Sequence, residues 1–198
     1  MSTNPMCCGN SPFFGCRFSL YPMTDKFVPV ILEAIEEINR PGIEVETDTV
    51  STCLIGIETN VFSALRDCLA KAALTGEHIV MSATFSKGCP GEGIVNLEDY
   101  SFPEDSDFSP KSGSEINVTS QFSIYPLGHQ DYMKIIYDVV DITKKSGVYK
   151  GSSHFCTELT GSIKDVFSAL EEVFIYTTKH TGHTVMTATL SCNSPSEK

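Results

Sequence analysis

The sequence predicts an α+β fold of two tandem ferredoxin-like βαββαβ repeats built on antiparallel sheets. Three observations carry that expectation. First, the chain repeats itself: FSLYPM at 18–23 returns as FSIYPL at 122–127, VFSAL at 61–65 returns unchanged at 166–170, and HIVMSATFS at 78–86 returns as HTVMTATLS at 183–191. The offsets are 104, 105 and 105, and 15 of 20 positions agree in the same order, which marks a tandem duplication. Second, the first and last blocks alternate apolar and polar residues, the period of a half-buried strand. Third, each repeat carries two stretches with apolar residues at helical spacing.

Taken in order, Arg17–Tyr21 reads as a strand with Phe18 and Leu20 on one face, stopped by Pro22. Phe27, Ile31, Ala34, Ile35 and Ile38 then form a helical stripe, capped by Thr24 or Asp25, delayed by Pro29 and ended by Arg40–Gly42. Strands follow at Ile43–Thr47 and Thr49–Ile55, closed by Gly56. Asn60 is the expected cap of a second helix with the stripe Val61, Leu65, Cys68, Leu69 and Ala72, and His78–Ser86 is the last strand. The second repeat gives a strand at Gln121–Tyr125, a helix over Tyr132–Thr143, strands within 148–161, a helix from Val166 with Asp165 in the place of Asn60, and a strand at His183–Ser191. The expected organisation is a first repeat at 14–90, a linker at 91–117 rich in Gly, Pro, Ser and acids, and a second repeat at 118–195.

With 41% hydrophobic and 20% charged residues in 198, the chain has the means to bury a core, and no apolar run reaches membrane-spanning length. A net charge of −11 disfavours a nucleic-acid partner. Much of that acidity lies in the linker, so it says little about a site. The opening MSTNPMCCGNSPFFGC has no basic segment followed by an apolar one, which predicts a cytoplasmic protein with reduced thiols. None of the eight cysteines forms a C-x-x-C pair, so no metal or cofactor is expected. The Cys7, Cys8 and Cys16 cluster is the one weak metal candidate.

The sheet face turned away from the helices carries the candidate binding groups. In the first repeat these are Arg17, Ser19, Tyr21, Thr49, Ser51, Ser82 and Thr84, beside Cys53. In the second they are Gln121, Ser123, Tyr125, His154, Glu158, Thr187 and Thr189, beside Cys156. A plain solvated sheet face is the competing account, but such a face usually carries long charged side chains, and here they are few. Small hydroxyls with an aromatic ring and one or two stronger hydrogen-bonding groups fit a polar small-molecule site. Arg17 against Gln121, and Cys53 against Glu158, predict two unequal sites. His78 and His183 open equivalent strands without a sequence-adjacent acidic or nucleophilic partner, so a structural role is expected of them.

The stretches GCRFSLYPM, HIVMSATFSKGCPG, QFSIYPL and HTVMTATLSCNSPS resemble the YkoF family of bacterial thiamin- and hydroxymethylpyrimidine-binding proteins, over residues 16–195. The resemblance implies ACT-like units, a cytoplasmic homodimer, one small-molecule site per repeat, and a link to vitamin uptake or salvage and its transporter. The ligand would be thiamin or its hydroxymethylpyrimidine (HMP) precursor. The family pattern has His where this chain has Thr49, which implies an altered first site. Hydroxyls, Gln121 and the Glu158 carboxylate suit an aminopyrimidine's donors and acceptors, and Tyr21 or Tyr125 can stack on its ring. The expectation is a binding protein without catalysis. The alternatives are a pyrimidine-processing enzyme using Cys89 or Cys156, for which no neighbouring base is evident, and a ligand-sensing regulatory module.

Overall fold

The computed structural model describes residues 14–88 and 115–196. Its first unit runs β1 (Phe14–Pro22), α1 (Phe27–Ile35, extended by a 3₁₀ turn at Glu36–Ile38), β2 (Ile43–Thr47), β3 (Thr52–Gly56), α2 (Glu58–Ala73) and β4 (Ile79–Lys87). The second runs β5 (Asn117–Leu127), α3 (Tyr132–Lys145), β6 (Tyr149–Ser153), β7 (Cys156–Ser162), α4 (Ile163–Thr178) and β8 (His183–Cys192). Both have the βαββαβ order, with every strand pair antiparallel. Of the expected linker, residues 91–117, only the last three fall within the described part of the chain.

The two sheets are one. The order β2-β3-β1-β4-β8-β5-β7-β6 joins the units through β4 and β8. Each of those strands would otherwise expose a row of unpaired peptide groups at a sheet edge. Across the seam Ala83 faces Ala188, its own repeat equivalent, so the join has a local two-fold character. The residues just after the two seam strands repeat the relation. Gly88, with φ of 86°, lies so close to the second unit that an added Cβ would sit 2.0 Å from the Gly182 carbonyl oxygen. Its equivalent Asn193, with φ of 55°, donates from Nδ2 to the carbonyls of Ala73 (2.8 Å) and Glu77 (3.0 Å) in the first unit. His78 joins the seam through a 3.0 Å hydrogen bond between Nε2 and Ser191 Oγ, the structural role expected of it.

One contiguous core lies under the helices and spans both units. At its centre Phe14, Phe62 and Phe85 of the first unit stack, with Phe62 and Phe85 centroids 4.5 Å apart, and Phe174 of α4 meets Phe14 edge-on at 5.0 Å. Such aromatic pairs contribute beyond the area they bury. Cys16, Cys68 and Cys192 are buried and in no disulfide, and burial pushes the Cys68 thiol up to about 12, so it acts as a small hydrophobe. Cys7 and Cys8 lie outside the described residues. Among the described residues no helix is long and apolar enough to cross a membrane.

Several expected element ends move. α1 buries Val30, Ala34 and Ile38, while Phe27 stands half exposed at its start. Pro29 does not delay this helix: it occupies the first turn, where peptide N–H groups have no intrahelical acceptor. Asn60 is not a cap but a buried residue inside α2, which begins after Ile57. In α4 the cap is Ser162, whose Oγ accepts from the Asp165 N–H at 3.1 Å and donates to the Asp165 carboxylate at 2.7 Å. Residues 49–51 leave the strand expected there. Asp48 Oδ1 accepts from the N–H groups of Val50 (2.7 Å) and Ser51 (2.8 Å), closing a turn in place of ladder bonds.

Candidate functional site

On the open sheet face the strands bring two of the predicted contrasts together. Arg17 lies opposite Cys53 and Gln121 opposite Glu158, so the two differences between the repeats fall at one equivalent pair. Ser82 faces Thr189 and Thr84 faces Thr187 across the seam, completing a polar band. Glu158 finds a partner within the band and Arg17 finds its partners in the β2–β3 turn. The Gln121 Nε2 donates to Glu158 Oε1 at 3.0 Å. Arg17 Nη1 donates to Asp48 Oδ2 at 2.7 Å and to Ser51 Oγ at 3.0 Å. The backbone N–H bonds of Val50 and Ser51, and after them Arg17, lower the Asp48 carboxyl to about 2. The Arg17 guanidinium is raised, chiefly by its bond to Asp48.

The concave site of the second unit lies at one end of this face. β5 pairs with β8 as far as Leu127, but its pairing with β7 ends at Phe122 opposite Thr157. Beyond that point the β6–β7 hairpin splays from β5, and a cavity of about 720 Å³ opens between the end of β5, the first turns of α3 and the hairpin tip. That volume falls in the range of roughly 300–1,000 Å³ usual for small-molecule sites. Tyr125 from the strand, Tyr132 from the helix start and Phe155 from the tip line it, with Ile136 and Val139 of α3 at its floor. Ser123, Ser152, His129 and Cys156 supply polar or polarisable groups. On the side of β5 facing the hairpin, the peptide groups beyond Phe122 have no β7 partner. Pro126 has no N–H, so beyond Phe122 this edge offers a heterocycle chiefly carbonyl acceptors and the Ile124 N–H donor.

The hairpin tip is held by one contact. Ser123 Oγ donates to the Phe155 carbonyl oxygen, and Phe155 takes φ of 71°, unusual for a residue with a side chain. The first unit repeats the device: Ser19 Oγ donates to the Val50 carbonyl at 2.9 Å, and Val50 stands where Phe155 stands. There too β1 continues to Pro22 along β4 after its pairing with β3 ends at Phe18. Twelve of the exposed large apolar side chains among the described residues are repeat equivalents: Tyr21 and Tyr125, Met23 and Leu127, Phe27 and Tyr132, Val28 and Met133, Leu32 and Tyr137, Val50 and Phe155. Duplicated apolar exposure gathered at one end of each unit marks a functional end.

The sequence-derived residues therefore divide. Ser123 and Tyr125 line the cavity, with Cys156. Gln121, Glu158, Thr187 and Thr189 belong to the neighbouring polar band, as do Arg17, Ser82 and Thr84 in and beside the first unit. Ser19 and Tyr21 take the places of Ser123 and Tyr125. Thr49, Ser51 and His154 are corrected from the sheet face to the hairpin turns, because Asp48 closes the first turn and the left-handed Phe155 closes the second. Tyr132 and Phe155 were not among the expected residues. Their signal was available: an aromatic at a helix start and another in a turn, both duplicated by apolar residues one repeat earlier.

Fold and site together define a tandem βαββαβ protein with one continuous sheet and a cleft at the mouth of a splayed hairpin. The chain belongs to the YKOF-related family, whose pattern matches residues 13–92 and again 117–197. It is 40% identical over 195 residues, 96% of each chain, to a Bacillus subtilis (strain 168) protein described as "Putative HMP/thiamine-binding protein YkoF". Among solved structures it is similar to a DUF77 domain from Bacillus cereus, with a TM-score of 0.36 and 20% identity over 46% of this chain and 88% of that one. It also shows a likeness to Clostridium acetobutylicum aspartate kinase, with a TM-score of 0.23 and 8% identity over 85% of this chain and 33% of that one. At those TM-scores neither likeness bears on function.

Proposed function

We propose that the protein binds thiamin or its HMP precursor without chemical change, one molecule per unit and with unequal affinity, in vitamin uptake or salvage. The cavity at the splayed β6–β7 hairpin carries this reading. It is large enough for a two-ring ligand, its aromatic lining suits a flat ring, and its strand edge leaves peptide groups for hydrogen bonds. The family relationship supports the ligand class. The inequality follows from the repeat differences. The first unit has Arg17, Cys53 and Val50 where the second has Gln121, Glu158 and Phe155. An aliphatic tip cannot stack on a ring as Phe155 can.

The working form is a homodimer, and the cargo is handed to or received from a vitamin-precursor transporter. Calorimetry with thiamin and with HMP, followed by mass analysis of the recovered ligand, tests the reading. Saturable binding of unaltered ligand supports it. Turnover, or no binding at millimolar ligand, contradicts it. Sedimentation tests the dimer.

A further inference from the structure

We infer that Phe155 is the specificity-determining residue of the second site, a ring held over the cavity mouth, and that Ser123 is the positioning residue that aims it. Phe155 is 97% exposed, a costly place for a phenyl group, yet it lines the cavity with Tyr125 and Tyr132. Its backbone is held in the left-handed region while its carbonyl accepts from Ser123, so the tip is fixed in an orientation a relaxed turn would leave. The first unit keeps the latch, Ser19 to Val50, but presents a valine, from a turn closed by Asp48 rather than by a left-handed residue. One scaffold thus carries two different lids. An aromatic lid opposite aromatic walls selects a flat, electron-poor ring and covers its apolar face; a valine covers less and does not discriminate by stacking.

This inference rests on the binding reading above and assigns its selectivity. The test uses the full chain with Phe155→Val, Val50→Phe, Phe155→Trp and Ser123→Ala, each titrated with thiamin and with HMP by calorimetry. Because the sequence contains no tryptophan, Phe155→Trp also installs a single fluorescent reporter at the tip. Phe155→Val is expected to weaken one of the two binding events about tenfold, and Val50→Phe to tighten the other by a similar factor. Phe155→Trp should retain affinity, with its emission changing on saturation. Ser123→Ala should weaken the same event as Phe155→Val, and in the Phe155→Trp background it should shrink the emission change.

Wild-type affinity in Phe155→Val, or a silent tryptophan in a protein that binds ligand, overturns the lid and leaves the binding reading standing. Failure of the wild-type chain to bind either ligand overturns both. If Phe155→Val instead changes the sedimentation coefficient while binding is intact, the ring serves contact between copies, and the lid is wrong.

Discussion

Phe174→Ala is the perturbation that most directly tests whether the two repeats form a single folding body. Phe174 belongs to the second repeat, is 0% exposed, and packs against three first-repeat rings with centroids 5.0, 6.0 and 6.2 Å away. Truncating a buried phenylalanine removes its transfer free energy and leaves a cavity, a loss of about 3–5 kcal/mol. For a chain of this size each kcal/mol lowers Tm by about 2–4 °C, so the expected fall is roughly 6–20 °C. Differential scanning calorimetry, with urea unfolding followed by circular dichroism, gives both quantities. The fused sheet and shared core predict one transition that shifts as a whole. Two transitions, of which only one moves, would refute the shared-core reasoning. So would a loss below about 1 kcal/mol, since the ring would then not be packed as described.

Gly88→Ala should cost about 2–5 kcal/mol in urea unfolding, because it combines a positive φ with a backbone clash across the seam. Gly76→Ala, with the same φ region and open space around it, should cost about 1 kcal/mol, and equal losses would remove the clash from the explanation. Asp48 should titrate near 2 by carbon-detected NMR. Its depressed carboxyl holds the first hairpin turn above the ordinary carboxylate range, and that contribution is lost as pH falls from about 4 toward 2. In Arg17→Gln the carboxyl should stay well below normal, since the two peptide N–H bonds are the larger causes; a return to the ordinary value would assign the effect to the ion pair. Tyr125→Ala should weaken ligand binding about tenfold and Glu158→Ala less than threefold by calorimetry, and the reverse order would move the site onto the polar band.

What the sequence revealed and what it hid have physical causes. The strand faces were readable because alternation has a period of two and a slip of one residue would expose Phe18 and Phe122, both 3% exposed. Which face residues pair across strands, Arg17 with Cys53 and Gln121 with Glu158, needed the sheet itself. The seam was hidden because nothing local distinguishes an edge strand from one that finds a partner a hundred residues away, as Ala83 finds Ala188. The turns were misread because Thr49 and Ser51 are good strand residues; Asp48 decides the matter with side-chain bonds that no periodicity records. The cavity was hidden for a related reason. It exists because β5 outruns β7, a difference in strand length that becomes visible only once both neighbours of β5 are known. Ser123 and Tyr125 were found as face residues, while Tyr132 and Phe155 needed the third dimension.

A crystal structure of the protein grown with thiamin tests the central claim most directly. An aromatic ring of the ligand is expected in the cavity between the end of β5, the start of α3 and the β6–β7 tip, against Tyr125 and under Phe155. A ligand seated instead on the polar band at Gln121 and Glu158, with that cavity empty, would contradict it.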